Sequence, residues 1–456
     1  MKRSTWILLA VAAALLAVIL LWERKAPTTD QREEDRQKVC ELQVSKVTRL
    51  VRTGEGPVEL QKGPGGHWSL LQPVKDAGDK EAIEGFLERM AQAKALRFPQ
   101  AGTPLAALGL DKPRATWDIL TGQETTRVDV GAKAPFNEGL YLRVNGRLAL
   151  VPADMESLLL RPADGFRLKN LTAAATQDVQ AFTVNGPGGK SLACRRAGRG
   201  AGWDVTAPFQ DWGADSKIES MLDDVSLCLV DTFVTGSVPD LKTAGLDPPR
   251  TRIRLEMAAG APVDIGLGAP VPGADPRKRL VYASVSGRPS IMVVSQNSLA
   301  SLDQDPEGLR SLKLFRRDAY EAAELDVEGP LKLVLIRGKE GAWQSKGSPA
   351  AKSVGSDLGA VPVALTNLEG EKAVPWDGAR MPGFDPSQAT FVLKGDGSTE
   401  TAVVGAEKNG RRLAHPEGRP VALVLPGKGW ATLDTALHVA AGSSEPPPSP
   451  RKAPTP

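Results

Sequence analysis

The segment Trp203-Asp204-Val205-Thr206-Ala207-Pro208, followed later by Gly245-Leu246-Asp247-Pro248, occurs in three recognisable versions in this chain. The other versions pair Trp68 and Pro73 with Gly109-Leu110-Asp111, and Trp343 and Pro349 with Gly383-Phe384-Asp385. The tryptophan and the glycine are 41, 42 and 40 residues apart in the three versions. A spacing held this closely indicates one structural module that is used three times.

Local sequence patterns predict the same elements in each module. Alternating apolar residues, a glycine turn and the tryptophan are typical of a β-hairpin, and the following proline ends its second strand because proline lacks an N–H donor. Asp79 and Asp215 then begin helices as predicted N-caps, each followed by apolar residues on one helical stripe. The third module carries Pro362 within the equivalent run, which predicts a shorter or shifted helix.

Further strands follow the Gly-x-Asp segment and end in a last hairpin, as in Leu140–Val144 with Leu148–Val151 around the Asn145-Gly146 turn. Each module is therefore predicted to be an antiparallel sheet with a packed helix, which is the α+β class. We predict three tandem copies of this module, of which the third has diverged most. Their predicted boundaries are residues 44–175, 176–326 and 327–438.

The two ends of the chain differ in composition from the modules. Residues 1–22 begin with Lys2 and Arg3 and continue as an uncharged, mostly apolar run over 6–22, which predicts a transmembrane anchor with a cytoplasmic start. A cleavable signal peptide is the alternative, although no Ala-x-Ala cleavage site follows the run. Residues 23–43 are predicted to form a charged stalk, and the Pro/Ser-rich residues 439–456 a disordered tail. These features predict a single-pass protein of a bacterial inner membrane with most of its chain in the periplasm.

Composition excludes one large class of partners. The formal net charge is only +3, from 57 basic and 54 acidic residues, and aromatic residues make up 5% of the chain. Such a chain lacks both the basic surface and the stacking side chains that bind nucleic acid. The cysteines, Cys40, Cys194 and Cys228, have no metal-binding spacing. A Cys194–Cys228 disulfide and two buried free thiols remain alternatives.

No recognised catalytic motif is present in the sequence. The Gly-Lys-Ser sequence at 189–191 lacks the first P-loop glycine and leads into a predicted strand rather than a helix. The histidines, His67, His415 and His438, are far apart. Because Asp111, Asp247 and Asp385 recur in turn sequences, we expect their carboxylates to bond backbone amides. The repeated tryptophans are predicted to fill the core, and neither a cofactor nor a metal is predicted.

The anchor, the Trp-x-x-x-x-Pro strand end, the Asp-capped helix and the Gly-Leu-Asp segment resemble one bacterial family of envelope proteins. This is domain of unknown function 4340, whose members are often encoded beside gliding-type ABC transporter components. The resemblance implies no catalytic residues and suggests ABC transporter subunits as partners. We therefore expect a non-enzymatic envelope protein that binds a protein partner. The alternative is a glycan- or peptidoglycan-binding protein that uses the repeated tryptophans, which would require Trp68, Trp203 and Trp343 to be exposed.

Overall fold

The computed structural model of the protein describes residues 36–100, 102–234, 240–346, 358–378, 381, 383–384, 387–395 and 397–442. They form two compact units. The first holds the described residues up to 173 with 229–240 and 282–294, and the second holds the others. The predicted anchor at 6–22, Pro349, Asp385 and the tail beyond Gly442 lie outside the described residues. Among the helices that the structure describes, none has both the length and the apolar character that a membrane span requires.

The first unit contains an eight-stranded antiparallel sheet in the order β4-β3-β2-β1-β5-β6-β7-β8. Buried and more exposed residues alternate along these strands, and the buried ones, such as Val58, Leu60 and Leu70, lie on the face of the sheet that packs into the core. The strands are β1 Val47–Gly54, β2 Val58–Lys62, β3 Trp68–Gln72, β4 Asp76–Ala77, β5 Ala115–Thr121, β6 Glu124–Lys133, β7 Leu140–Val144 and β8 Arg147–Val151.

One helix, α1 (Lys80–Ala91), connects the two halves of this sheet and packs on its core face. Asp79 is its N-cap, as predicted, and its Oδ1 accepts a hydrogen bond of 2.9 Å from the backbone N–H of Ala82. After the helix the chain crosses to the far edge of the sheet, where Arg97 bridges Leu150 of β8. A short helix, α2 (Met155–Leu159), follows the last hairpin.

The second copy repeats this order of elements, with strands in both units. Within the second unit the order is β12-β11-β10-β9-β14-β15, and within the first unit β13 pairs antiparallel with β17. Its helix is α3 (Asp215–Leu227), and the strands are β9 Val179–Asn185, β10 Ser191–Arg195, β11 Asp204–Ala207, β12 Asp211–Trp212, β13 Val230–Phe233, β14 Thr251–Met257, β15 Val263–Pro270, β16 Leu280–Val285 and β17 Arg288–Ser295.

The predicted cap of α3 was wrong. Ala214 is the N-cap, and Asp215 is the first helical residue. The Asp215 carboxylate instead accepts a hydrogen bond of 2.7 Å from the backbone N–H of Trp203. The aspartate therefore ties the start of the helix to the landmark tryptophan of the neighbouring hairpin.

The third copy lies in the second unit and keeps the common strand order, as β20-β19-β18-β22-β23-β24-β25-β21. Its first helix, α4 (Ala360–Thr366), has 7 residues against 12 in α1, and Pro362 lies in its first turn, which confirms the predicted shortening. A longer helix, α5 (Gly427–Ala440), joins it in the core. The strands are β18 Glu324–Glu328, β19 Leu333–Arg337, β20 Trp343–Ser345, β21 Lys372–Pro375, β22 Ser387–Gly395, β23 Ser398–Gly405, β24 Arg412–Pro416 and β25 Val421–Leu425.

The large antiparallel sheets with a few packed helices confirm the α+β class, and the repeated strand order confirms repeat-like domains in tandem. The predicted end of the stalk at residue 43 needs correction. Val39 and Cys40 are buried in the core of the first unit, and the Val39 N–H donates a hydrogen bond of 3.0 Å to the Ala93 carbonyl. The packed part of the first copy therefore begins before Val44.

Candidate functional site

The landmark tryptophans fill the core in the first two copies. Trp68 is 3% exposed and Trp203 is fully buried. Trp343 is half-buried and packs against the core of the third copy. Pro73 and Pro208 follow cis peptide bonds directly after β3 and β11. Burial removes Trp68 and Trp203 as platforms on which a sugar ring could stack.

The landmark glycine makes a close backbone contact in every copy. Gly109, Gly245 and Gly383 have φ values of 64°, 66° and 91°, a region that favours glycine. A Cβ atom on these glycines would lie 2.9 Å from Ala132 N, 2.8 Å from Ala269 N and 2.3 Å from Ala406 O, respectively. Each contact involves a Gly-Ala pair that our sequence analysis missed, although it recurs 22, 23 and 22 residues after the landmark glycine.

The landmark aspartates of the first two copies do not act as predicted. Asp111 and Asp247 are exposed, and within the described part of the chain neither carboxylate accepts a hydrogen bond. The turn is therefore fixed by the glycine and its close contact, and not by the carboxylate that follows it.

The first of two buried charge clusters surrounds Asp76 of β4, whose side chain is fully buried in the first unit. Its Oδ2 accepts a hydrogen bond of 2.8 Å from Arg167 Nε, and its Oδ1 accepts bonds from Arg288 Nε at 2.7 Å and Ala77 N at 2.8 Å. Arg167 Nη2 also lies 2.7 Å from Oδ2, as an ion-pair contact without hydrogen-bond geometry. Arg288 further donates to the carbonyl oxygens of Leu168, Asn170 and Leu171.

The second cluster has the same design and lies in the second unit around Asp211 of β12, whose side chain is also fully buried. Arg419 Nε donates to Asp211 Oδ1 at 2.6 Å, its Nη2 donates to Oδ2 at 3.0 Å, and Arg310 donates to Oδ2. The backbone N–H of Trp212 donates to Oδ1 at 2.8 Å. Arg419 also donates to the carbonyl oxygens of Ser311 and Lys313.

Each cluster contains balanced charge. Arg167 pairs with Asp164 three residues earlier, as Arg310 pairs with Glu307, so two arginines face two carboxylates in each cluster. Burial by itself would raise the pKa of Asp76, but the hydrogen bonds and charges of its arginines outweigh it and hold the pKa below its ordinary value. The pKa of Asp211 is lowered for the same reason, chiefly by Arg419.

The residues of the two clusters occupy equivalent positions in their copies. Asp76 and Asp211 each stand three residues after the landmark proline. Arg288 and Arg419 each lie in a Gly-Arg-Pro sequence, in which Arg288 is the first residue of β17 and Arg419 lies two residues before β25. An edge-strand aspartate of one copy is thus bound by the hairpin arginine of the next copy. These residues were not predicted from the sequence. The signal that could have found them is the pairing of Pro-x-x-Asp in copies one and two with Gly-Arg-Pro in copies two and three.

The described residues contain no group of acidic, histidine or cysteine side chains that could hold a metal ion. All three cysteines are buried thiols, and Cys194 and Cys228 do not form a disulfide. Burial raises the pKa of Cys40 and of Cys194 to about 12 and that of Cys228 to about 11. His415 is buried and stacked 3.8 Å from Trp376, and burial lowers its pKa. These groups are packed into the fold rather than exposed to a substrate.

These features define a repeat protein in which α+β domains follow one another in tandem, with buried arginine–aspartate clusters between successive copies. A family model described as Domain of unknown function (DUF4340) matches residues 68–249 and, in a second match, residues 203–360. Together the matches cover more than half of the chain, and the protein belongs to this family. The matches begin at Trp68 and Trp203, the landmark tryptophans of the first two copies. No curated protein and no solved structure is significantly similar to the chain.

Proposed function

We propose that the protein is a non-enzymatic envelope protein whose tandem domains bind a protein partner. In this proposal residues 6–22 anchor it in the bacterial inner membrane, the domains lie in the periplasm, and subunits of an ABC transporter are the partner.

The two clusters are the observation that supports a binding role over a catalytic one. A general acid or base must reach its substrate and must be able to exchange a proton near the working pH. Asp76 and Asp211 are fully buried and bonded by two arginines each, and their lowered pKa keeps them ionised at neutral pH. Their role in this proposal is to hold successive copies of the domain together.

Affinity purification of the full chain from its own membranes in mild detergent tests this proposal. We expect transporter or envelope subunits to be recovered repeatedly, and repeated recovery of none of these would refute the partner claim. A control chain that lacks residues 6–22 should no longer be found in the membrane fraction. A periplasmic reporter fused after Gly442 should be active, and an inactive reporter would contradict the proposed topology.

Glycan binding remains a second candidate at one site, in the third copy. Trp343 lines an open cavity of about 860 Å³ together with Tyr320, which is 74% exposed. Aromatic faces beside polar groups, here Arg337 and Asn367, are suited to a sugar. Peptidoglycan fragments should bind the full chain and lose affinity in a Trp343→Ala variant. Equal binding by the two chains, or none, would exclude this site.

A further inference from the structure

The last hairpin of the first copy carries an arginine at the position of the two cluster arginines. Arg147 follows Gly146 at the start of β8, as Arg288 follows Gly287 and Arg419 follows Gly418. The Nη2 group of each arginine donates to a backbone carbonyl in the segment that precedes its own copy. The acceptors are Arg36 at 3.3 Å, Leu168 at 2.9 Å and Ser311 at 2.7 Å.

The acceptors are themselves equivalent positions. Each lies two residues before a residue that forms an isolated antiparallel bridge with the chain just after the helix. The bridges are Lys38 with Lys94, Asn170 with Leu229, and Lys313 with Glu369. The three hairpin arginines therefore occupy one place in the repeated fold, and their surroundings can be compared directly.

The three hairpin arginines differ in their carboxylate partners. Arg288 is 7% exposed and Arg419 is 3% exposed, each bound to the aspartate of the preceding copy. Arg147 is exposed, and among the described residues no carboxylate pairs with it. The described residues before the first copy contain neither a strand nor an aspartate that could take this place.

One aromatic side chain packs against this arginine. Its guanidinium lies 3.8 Å from the ring centroid of Phe98, which is 36% exposed, and Leu96, two residues before Phe98 in the sequence, is 57% exposed. The equivalent arginine, Arg288, lies 5.9 Å from the ring of Phe233 inside the first cluster. An exposed cation beside a partly exposed aromatic ring favours a partner that offers a carboxylate on an apolar strand.

We propose that the Arg147 hairpin is a docking surface for a partner protein that inserts an edge-strand aspartate, as Asp76 and Asp211 do within this chain. The partner is a different protein, because the third copy has Lys352 three residues after Pro349 and cannot supply the aspartate. This inference rests on the proposed function and specifies the chemistry of the partner.

Zero-length crosslinking tests the contact itself. An Arg147→Lys variant of the full chain keeps the positive charge and adds an amine, which a carbodiimide joins to a carboxylate in direct contact. In solubilised native membranes we expect the amine to be joined to an aspartate of another protein. The matched control is Arg143→Lys, because Arg143 Nη2 lies 2.6 Å from Asp129 Oδ2 and should yield an intrachain link.

Charge reversal separates this inference from the proposed function. Affinity purification of the Arg147→Glu chain should recover the partner identified by crosslinking at a level lower by about tenfold or more. Arg89→Glu, on an exposed part of α1, should leave that recovery unchanged. A partner recovered equally with Arg147→Glu would overturn the docking surface and leave the binding function standing. Two crosslinking results would also overturn the docking surface. One is a link from the introduced amine only to residues 1–35 of the same chain. The other is no link at all while the Arg143→Lys control reacts. Recovery of no partner by any of these chains would refute the binding function as well.

Discussion

Replacement of Asp76 by asparagine should loosen the contact between the first copy and the hairpin of the second. Asparagine keeps the shape of the side chain but removes its charge, and it cannot accept from Arg167 and Arg288 together as the carboxylate does. These arginine side chains are only 2% and 4% exposed, so their charges would remain buried with only the partly exposed Asp164 carboxylate to offset them. Breaking a buried pair by removing one partner typically costs about 3–5 kcal/mol.

Hydrogen exchange of the full chain, followed by mass spectrometry, measures this cost locally. About 3–5 kcal/mol corresponds to an increase of roughly two to four powers of ten in the opening equilibrium. Peptides that contain residues 164–171 and 286–290 should exchange faster by this amount in Asp76→Asn, while peptides of the third copy should not change.

The matched control is Asp164→Asn, which removes the other carboxylate of the same cluster. Asp164 is 56% exposed, so its loss should cost no more than about 1 kcal/mol. If Asp76→Asn accelerates exchange no more than Asp164→Asn does, the cluster does not hold these segments together, and our account of the domain connection is wrong.

Three further predictions follow from burial and backbone geometry. Folding lowers the pKa of Asp76, so its contribution to stability is present above the unfolded pKa near 4 and is lost as the pH falls through the folded pKa. The difference in unfolding free energy between wild type and Asp76→Asn, measured by urea unfolding, should therefore shrink below about pH 4. Gly245→Ala should destabilise the chain by about 1–3 kcal/mol in the same assay, because the new Cβ would lie 2.8 Å from Ala269 N. Gly273→Ala is the control, since Gly273 has a similar φ but open space around it, and it should cost clearly less. Equal costs for the two variants would refute the contact argument. A thiol reagent at pH 8 should leave the native chain unmodified and titrate three thiols after denaturation, and rapid labelling of the native chain would contradict the burial of Cys40, Cys194 and Cys228.

The elements that sequence could predict are those fixed by nearby residues. The apolar stripe and N-cap of α1 lie within one short segment, and the hairpin of β7 and β8 is encoded by its Asn145-Gly146 turn. Asp215 shows the limit of such reasoning. The same residue type at the start of an equivalent helix bonds the Trp203 amide rather than capping α3, since a neighbouring strand offers an alternative donor.

The clusters could not be predicted in the same way because their residues are far apart in sequence. Arg167 lies 91 residues after Asp76, and Arg288 lies 212 residues after it. The aspartate occurs in only two copies, and the arginine of the first copy lacks the following proline, so a search for the complete pattern in every copy does not find it. The physical reason is that these residues belong to contacts between copies, and three copies in series make only two such contacts.

That count also bears on the first and third copies. Each contact between successive copies uses one aspartate from the preceding copy and one arginine from the following copy. The third copy has Lys352 at the aspartate position of its sequence. The first copy has Arg147 at the arginine position, and the described residues before this copy contain no aspartate. Cohesion within the chain does not require this arginine, and an exposed cation beside Phe98 gains from a carboxylate only if another molecule brings one. The end of the array next to the proposed membrane anchor is therefore where we expect the partner to bind.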